Sequence, residues 1–147
     1  MQKSKSKLEY LAVPYTFAHA DARVQAAVQE TRFEIVNAVA ATLIKEGHLI
    51  YSPISHSHPI FQSGVAGGDW ETWKKLDLAL LAVCKRLLVL RLDGWKESEG
   101  VQSEIVEARR LGIRVKYIDL DPGLAYVCPA CGKSYSTAAK MAGCCHS

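Results

Sequence analysis

The run Leu87-Leu88-Val89-Leu90, between Arg86 and Arg91, limits the fold more than any other segment. It is too short for a buried helix and shows no in–out alternation. It therefore reads as a strand, Arg86–Leu92, covered on both faces as in a parallel sheet. Parallel neighbours cannot be joined by a tight hairpin and need crossover segments, usually helices. The chain supplies these in alternation. Leu8–Val13, closed by Pro14, predicts a first strand. Asp21 precedes a long helical pattern to Glu46, with Val24, Ala27, Val28, Ile35, Val39, Leu43 and Ile44 near three- and four-residue spacing and Gly47 at its end. His48–Tyr51 predicts a second strand, and Ile54–Gly68, with its Pro, Ser, His and Gly, a long loop. A helix over Trp70–Val83 capped by Asp69, a helix from Ser98 to Leu111 stopped by Gly112, and a fourth strand at Ile113–Ile118 complete the pattern. The expectation is an α/β fold: a Rossmann-like (flavodoxin-like), mostly parallel sheet of four to five strands with flanking helices.

Composition sets the outer limits. The chain of 147 residues is one ordinary domain in length, and 49% hydrophobic with 22% charged residues excludes long disorder. A net charge of +3 makes a nucleic-acid partner unlikely on this count. The strongest apolar stretch, Leu76–Val83, contains Asp77 and is far short of the roughly 20 residues of a membrane span, so no membrane partner is expected. The basic start (Lys3, Lys5, Lys7) has no apolar core behind it, which reads as a solvated tail over 1–7 and a cytoplasmic location by default.

In open parallel sheets, ligands bind outside the carboxyl ends of the strands. That edge carries the residues best suited to chemistry. Trp70, Trp73 and Asp77 share one helical face, either as a stacking platform for a flat base with a carboxylate beside it or as core. Ser98 opens a helix whose first N–H groups, around Gly100, suit a phosphate, with Glu104 further in; the plainer readings are an N-cap and a solvated face. Tyr10 and Pro14 end the first strand, and Trp95 lies in the loop before Ser98. His56 and His58 are two apart, a weak metal signal; as loop residues they either contact ligand or are simply exposed.

Taken in order, these pieces resemble the nucleoside 2-deoxyribosyltransferase superfamily over roughly Leu8 to Ile118. The matching motifs are the strand end Tyr10-Leu11-Ala12-Val13-Pro14, the mid-helix Asp77, and Ser98-x-Gly100-x-x-x-Glu104. Within it the chain looks most like a bacterial and phage group of unassigned function, through Ser52–Pro59, Gly68–Trp73 and Leu92–Ser98. The resemblance implies cleavage of an N-glycosidic bond, with Glu104 as nucleophile at the anomeric carbon, Asp77 assisting the departing base, and Tyr10 positioning sugar and nucleophile. Ser98 stands where nucleotide hydrolases of the superfamily contact the 5′-phosphate and nucleoside transferases have Asp. The implied substrate is thus a nucleoside 5′-monophosphate, with Arg23 a second phosphate contact. Base exchange and non-catalytic nucleotide binding are the alternatives. A homodimer or larger homo-oligomer is implied on the same ground. The chemistry needs one carboxylate and one carboxylic acid, so Asp77 is expected to hold the raised pKa. Val13 replaces the usual Gly, which narrows the pocket, marks a different ligand, or is simply a Val suited to a strand end.

Composition changes after Asp121-Pro122. Of five cysteines, Cys84 reads as core and four fall in the tail 123–147. Cys128-x-x-Cys131-Gly has zinc-knuckle spacing, and Cys144 with Cys145 or His146 completes four ligands of a structural zinc site. Free thiols and a redox pair are the alternatives. The expected organisation is an α/β domain over 8–122 and a zinc-stapled appendix.

Overall fold

A computed structural model describes residues 6–17, 19–64 and 70–120, and the backbone of 126–127 and 134–135. The elements are β1 (Leu8–Ala12), α1 (Ala22–Lys45), β2 (Leu49–Tyr51), α2 (Pro53–Gln62), α3 (Trp70–Leu81), β3 (Arg86–Leu90), α4 (Glu99–Arg110) and β4 (Arg114–Ile118), then the short β5 (Tyr126–Val127) and β6 (Ser134–Tyr135). The first four strands form one parallel sheet in the order β2-β1-β3-β4. This is the Rossmann-like α/β architecture anticipated from the Leu87–Leu90 run, with that run in an inner strand.

Strand periodicity divides the core in two. Leu11, Leu88 and Leu90 pack on one face against Val24, Val28, Ile35 and Val36 of α1. Tyr10, Ala12, Leu87 and Val89 pack on the other against Leu81 of α3 and Val101, Ile105 and Ala108 of α4. Cys84 joins this second cluster, as expected of a core cysteine. Strand order reverses between β1 and β3, and the cleft opens at the carboxyl ends there.

Helix signals worked where capping chemistry was explicit. Asp21 caps α1, accepting from the Arg23 N–H at 2.9 Å, and Gly47 (φ 97°) and Gly112 (φ 72°) supply the left-handed turns after α1 and α4. The segment read as a loop from Ile54 is in fact α2 through Gln62. Pro53 at its first turn is compatible with a helix start, whereas Pro59 lies inside and removes a backbone donor, which made the stretch look irregular. Tertiary contacts overrule that local preference: Ser57 and His58 are buried, and the Ser55 hydroxyl bonds Ser52 Oγ at 2.8 Å and also Asn37.

β5 and β6 pair antiparallel, Tyr126 with Tyr135 and Val127 with Ser134. They bracket 128–133. Cys128, Cys131, Cys144, Cys145 and His146, the expected zinc ligands, lie outside the described residues, as does most of the basic tail 1–7. Among the described residues no helix is long and apolar enough to cross a membrane, and no group of three or more His, Cys, Asp or Glu is placed to hold a metal. His56 and His58 diverge, one exposed and one buried, and do not form a metal pair.

Candidate active site

Three walls enclose a cleft with about 530 Å³ of empty space including its mouth. Val13, Tyr15 and Thr16 after β1, with Pro53, Ile54 and Ser57 of α2, form the first wall. Trp70, Trp73 and Asp77 of α3 form the second, and Ser98, Gly100, Val101 and Glu104 at the start of α4 the third.

Glu104 is 5% exposed, so it is not on a solvated helix face. The reason is periodicity: Val101, Glu104, Ile105 and Ala108 are all buried and form one stripe, and the carboxyl is carried inward with the apolar residues that anchor α4. Asp77, 6% exposed, is carried in likewise by α3, whose Leu81 is buried one turn on. The two carboxyl groups interact. Burial pushes Glu104 up to about 8, the Tyr10 hydroxyl beside it pulls the other way, and the like charge of Asp77 raises it again. Burial also raises Asp77, to about 6. The expectation that Asp77 would be the raised acid is thus corrected: both are raised, and Glu104 holds its proton more tightly, because it is the more deeply enclosed.

Tyr10 is fully buried, its own ionisation suppressed by burial and by Glu104 and Asp77. Its hydroxyl has no hydrogen-bond partner of ordinary length among the described residues, and neither does Trp70 Nε1 in the second wall. Two polar atoms cut off from solvent at one cleft carry an energetic penalty until something bonds them.

Ser98 fulfils its simpler role, its hydroxyl oxygen accepting from the Val101 N–H at 3.3 Å. It lines the cleft as well, and the hydroxyl hydrogen is not used by that cap. Gly100 gives close approach, but to Trp70: a Cβ there would stand 3.2 Å from Trp70 Cε3. Trp70 and Trp73 are half-buried cleft-lining residues, not core.

Other expected contacts are not brought to the cleft. Arg23 is exposed and pairs with Asp21 at 2.9 Å beside the helix cap. Trp95 is drawn by the turn at Gly94 (φ 88°) towards β4, its ring 5.4 Å from that of Tyr117. Pro14 is buried behind Val13 and Tyr15, and His56 faces solvent. His58 is buried behind the first wall and reaches the cleft only through Tyr15. Val13 does line the cleft, where the resemblance has a Gly.

Sequence reasoning did not single out Thr16, Pro53, Ile54 or Ser57, although Ser52–Pro59 contains three of them. It also missed Arg32. This α1 residue is 1% exposed, and its guanidinium donates at 2.7 Å to the carbonyls of Thr16 and of Asp93. It ties the β1–α1 loop to the β3–α4 loop. An arginine amid Val28, Ile35 and Val36 was the available signal, since such a charge is buried only when its donors are used.

No curated protein matches the chain. A family model described as "Domain of unknown function (DUF1937)" matches residues 7–119, the whole of the parallel-sheet domain, and the chain belongs to that family.

Proposed function

We propose that the cleft cleaves the base–sugar bond of a nucleoside 5′-monophosphate, with Glu104 as nucleophile and Asp77 as acid. One observation carries this reading: two buried carboxyl groups face one cleft and hold one proton between them from about pH 6 to about 8. That is the stoichiometry the reaction needs, one carboxylate and one carboxylic acid. Positive charge developing at the anomeric carbon favours the ionised form of Glu104, and a base nitrogen beside Asp77 favours the acid there, so substrate draws the proton from Glu104 to Asp77. A Glu104 oxygen then bonds the anomeric carbon as the carbon–nitrogen bond breaks. The electron pair leaves with the base, which takes the Asp77 proton. Water next attacks the glycosyl ester, returns a proton to Asp77 and frees Glu104. The Tyr10 hydroxyl, which lies beside Glu104, donates to its carboxylate. Trp70 and Trp73 suit stacking on the base, and Ser98 with the first N–H groups of α4 suits the phosphate.

The test is base release from a panel of nucleoside 5′-monophosphates by the wild type and by Glu104→Ala. The expected result is release by the first, loss in the second, and a glycosyl adduct on Glu104 by mass spectrometry after a rapid quench. Full activity in Glu104→Ala refutes the nucleophile. A second free base in the mixture separates hydrolysis from exchange. Nucleotide binding without chemistry is the second reading, favoured by the raised pKa of Glu104; it predicts ligand bound tightly and recovered intact. For the tail we propose a structural zinc, supported by the Cys128-x-x-Cys131 spacing between two paired strands. Purified protein with less than half an equivalent of zinc would refute it.

A further inference from the structure

The first wall of the cleft is backed by a hydrogen-bond chain that the proposed reaction does not use. The Tyr15 hydroxyl lies 2.5 Å from Nδ1 of His58, and Nε2 of His58 lies 2.7 Å from Oε2 of Glu30. His58 is 3% exposed, stacked on Phe33 with ring centroids 4.4 Å apart and met edge-on by Tyr15 at 5.6 Å. Glu30, its side chain 38% exposed, is the solvent end of the chain, where Gln62 Nε2 also donates to it at 3.3 Å.

Donor counting gives the chain a direction. A carboxylate accepts only, so the ring hydrogen is on Nε2. The uncharged ring has that single hydrogen, which leaves Nδ1 as an acceptor. Tyr15 must then donate to it. The phenol has the proton to give, because burial, with the Glu30 charge behind it, pushes its pKa up to about 12. With its one hydrogen committed, the hydroxyl offers a ligand lone pairs alone.

We propose that Glu30 and His58 fix Tyr15 as a hydrogen-bond acceptor in the cleft, making it a specificity-determining residue that selects a ligand bringing an O–H or N–H donor to this wall. The inference rests on the nucleotide reading for the identity of the ligand, but not for the polarity. A phosphate, a carbonyl or an unprotonated ring nitrogen is turned away from Tyr15, so a nucleotide enters with its phosphate towards α4 and a sugar hydroxyl or a base amino group towards Tyr15. The chain also explains why a histidine of the Ser52–Pro59 stretch is buried without lining the cleft itself.

Two measurements test this. Nitrogen-15 NMR of the wild type at neutral pH, with His58 assigned by difference from His58→Asn, should show a neutral ring protonated on Nε2. An imidazolium, or a ring protonated on Nδ1, overturns the proposal, because either leaves Tyr15 free to donate. This needs no ligand and no variant that must bind one. The second measurement is binding of the four 2′-deoxynucleoside 5′-monophosphates to the wild type and to Tyr15→Phe. The best binder should lose about fivefold in Tyr15→Phe, the worth of one neutral hydrogen bond. Its 3′-deoxy counterpart and its counterpart lacking the exocyclic amine form the two arms. The one that has lost the contacted donor should bind both proteins equally, which tells sugar from base. Equal losses for every ligand would mean a structural role only and refute the selection. If no nucleotide binds the wild type, the nucleotide reading fails, and the His58 tautomer alone decides the polarity of Tyr15.

Discussion

Replacing Glu104 by Gln should make this protein more stable, and increasingly so as pH rises. The carboxyl is 5% exposed and titrates near 8 instead of at its ordinary 4.5. In the unfolded chain it ionises freely above its ordinary value, while in the folded chain it keeps its proton. The folded state therefore binds the proton more tightly, and the stability this contributes is complete below about pH 4.5 and lost as pH rises towards 8. At about 1.4 kcal/mol for each pH unit, the wild type should have lost about 3 kcal/mol by pH 7 and about 5 kcal/mol above pH 8. Gln has nearly the shape of the protonated acid, can accept from Tyr10, and does not titrate. Urea unfolding followed by tryptophan fluorescence at pH 4, 7 and 9 measures the difference directly. The two proteins should be close at pH 4 and separate by several kcal/mol at pH 9, with Glu104→Gln the more stable. Curves that stay parallel across this range would refute the argument, since they would mean that Glu104 ionises in the folded protein as easily as in the unfolded one.

Three further outcomes follow from the same geometry. If the singly protonated carboxyl pair is the active form, kcat/KM for base release rises through about pH 6 and falls through about pH 8, and a profile flat from 5 to 9 contradicts it. Arg32→Met removes both carbonyl bonds and should cost about 3 kcal/mol in urea unfolding, with Arg32→Lys a poor rescue because an ammonium lacks the planar fork that spans Thr16 and Asp93. Gly100→Ala gains helix propensity of up to about 1 kcal/mol but places a methyl 3.2 Å from Trp70 Cε3. Its stability should change little, while the Trp70 fluorescence shifts and nucleotide affinity falls about tenfold; unchanged affinity would separate Trp70 from the binding surface.

Much of this fold was legible because its signals are local. The unbroken Leu87–Leu90 run, the Asp21 cap and the glycines at 47 and 112 place strands and helix ends within one or two residues of those observed. α2 was not legible, because its helix depends on burying Ser57 and His58 against α1 and the first wall, and Pro59 argues locally against it. The carboxyl pair was legible as residues but not as electrostatics. Spacing puts Glu104 on the stripe with Val101 and Ile105, yet only enclosure decides that its proton is held more tightly than that of Asp77. Arg23 and Trp95 were misplaced for a related reason. Position near a strand end says which loop a residue is in, and not which way the loop turns it.

The buried guanidinium of Arg32 has a consequence for the order in which the molecule assembles. Thr16 and Asp93 are far apart in the chain and are joined through a residue near the middle of α1, held only once that helix has docked on Leu11 and Leu88. The two loops therefore acquire their final form after the sheet and α1 have met, and in native-state hydrogen exchange they should open with α1 instead of fraying singly. Loosening of α1 therefore reaches the cleft through the loop that carries Thr16.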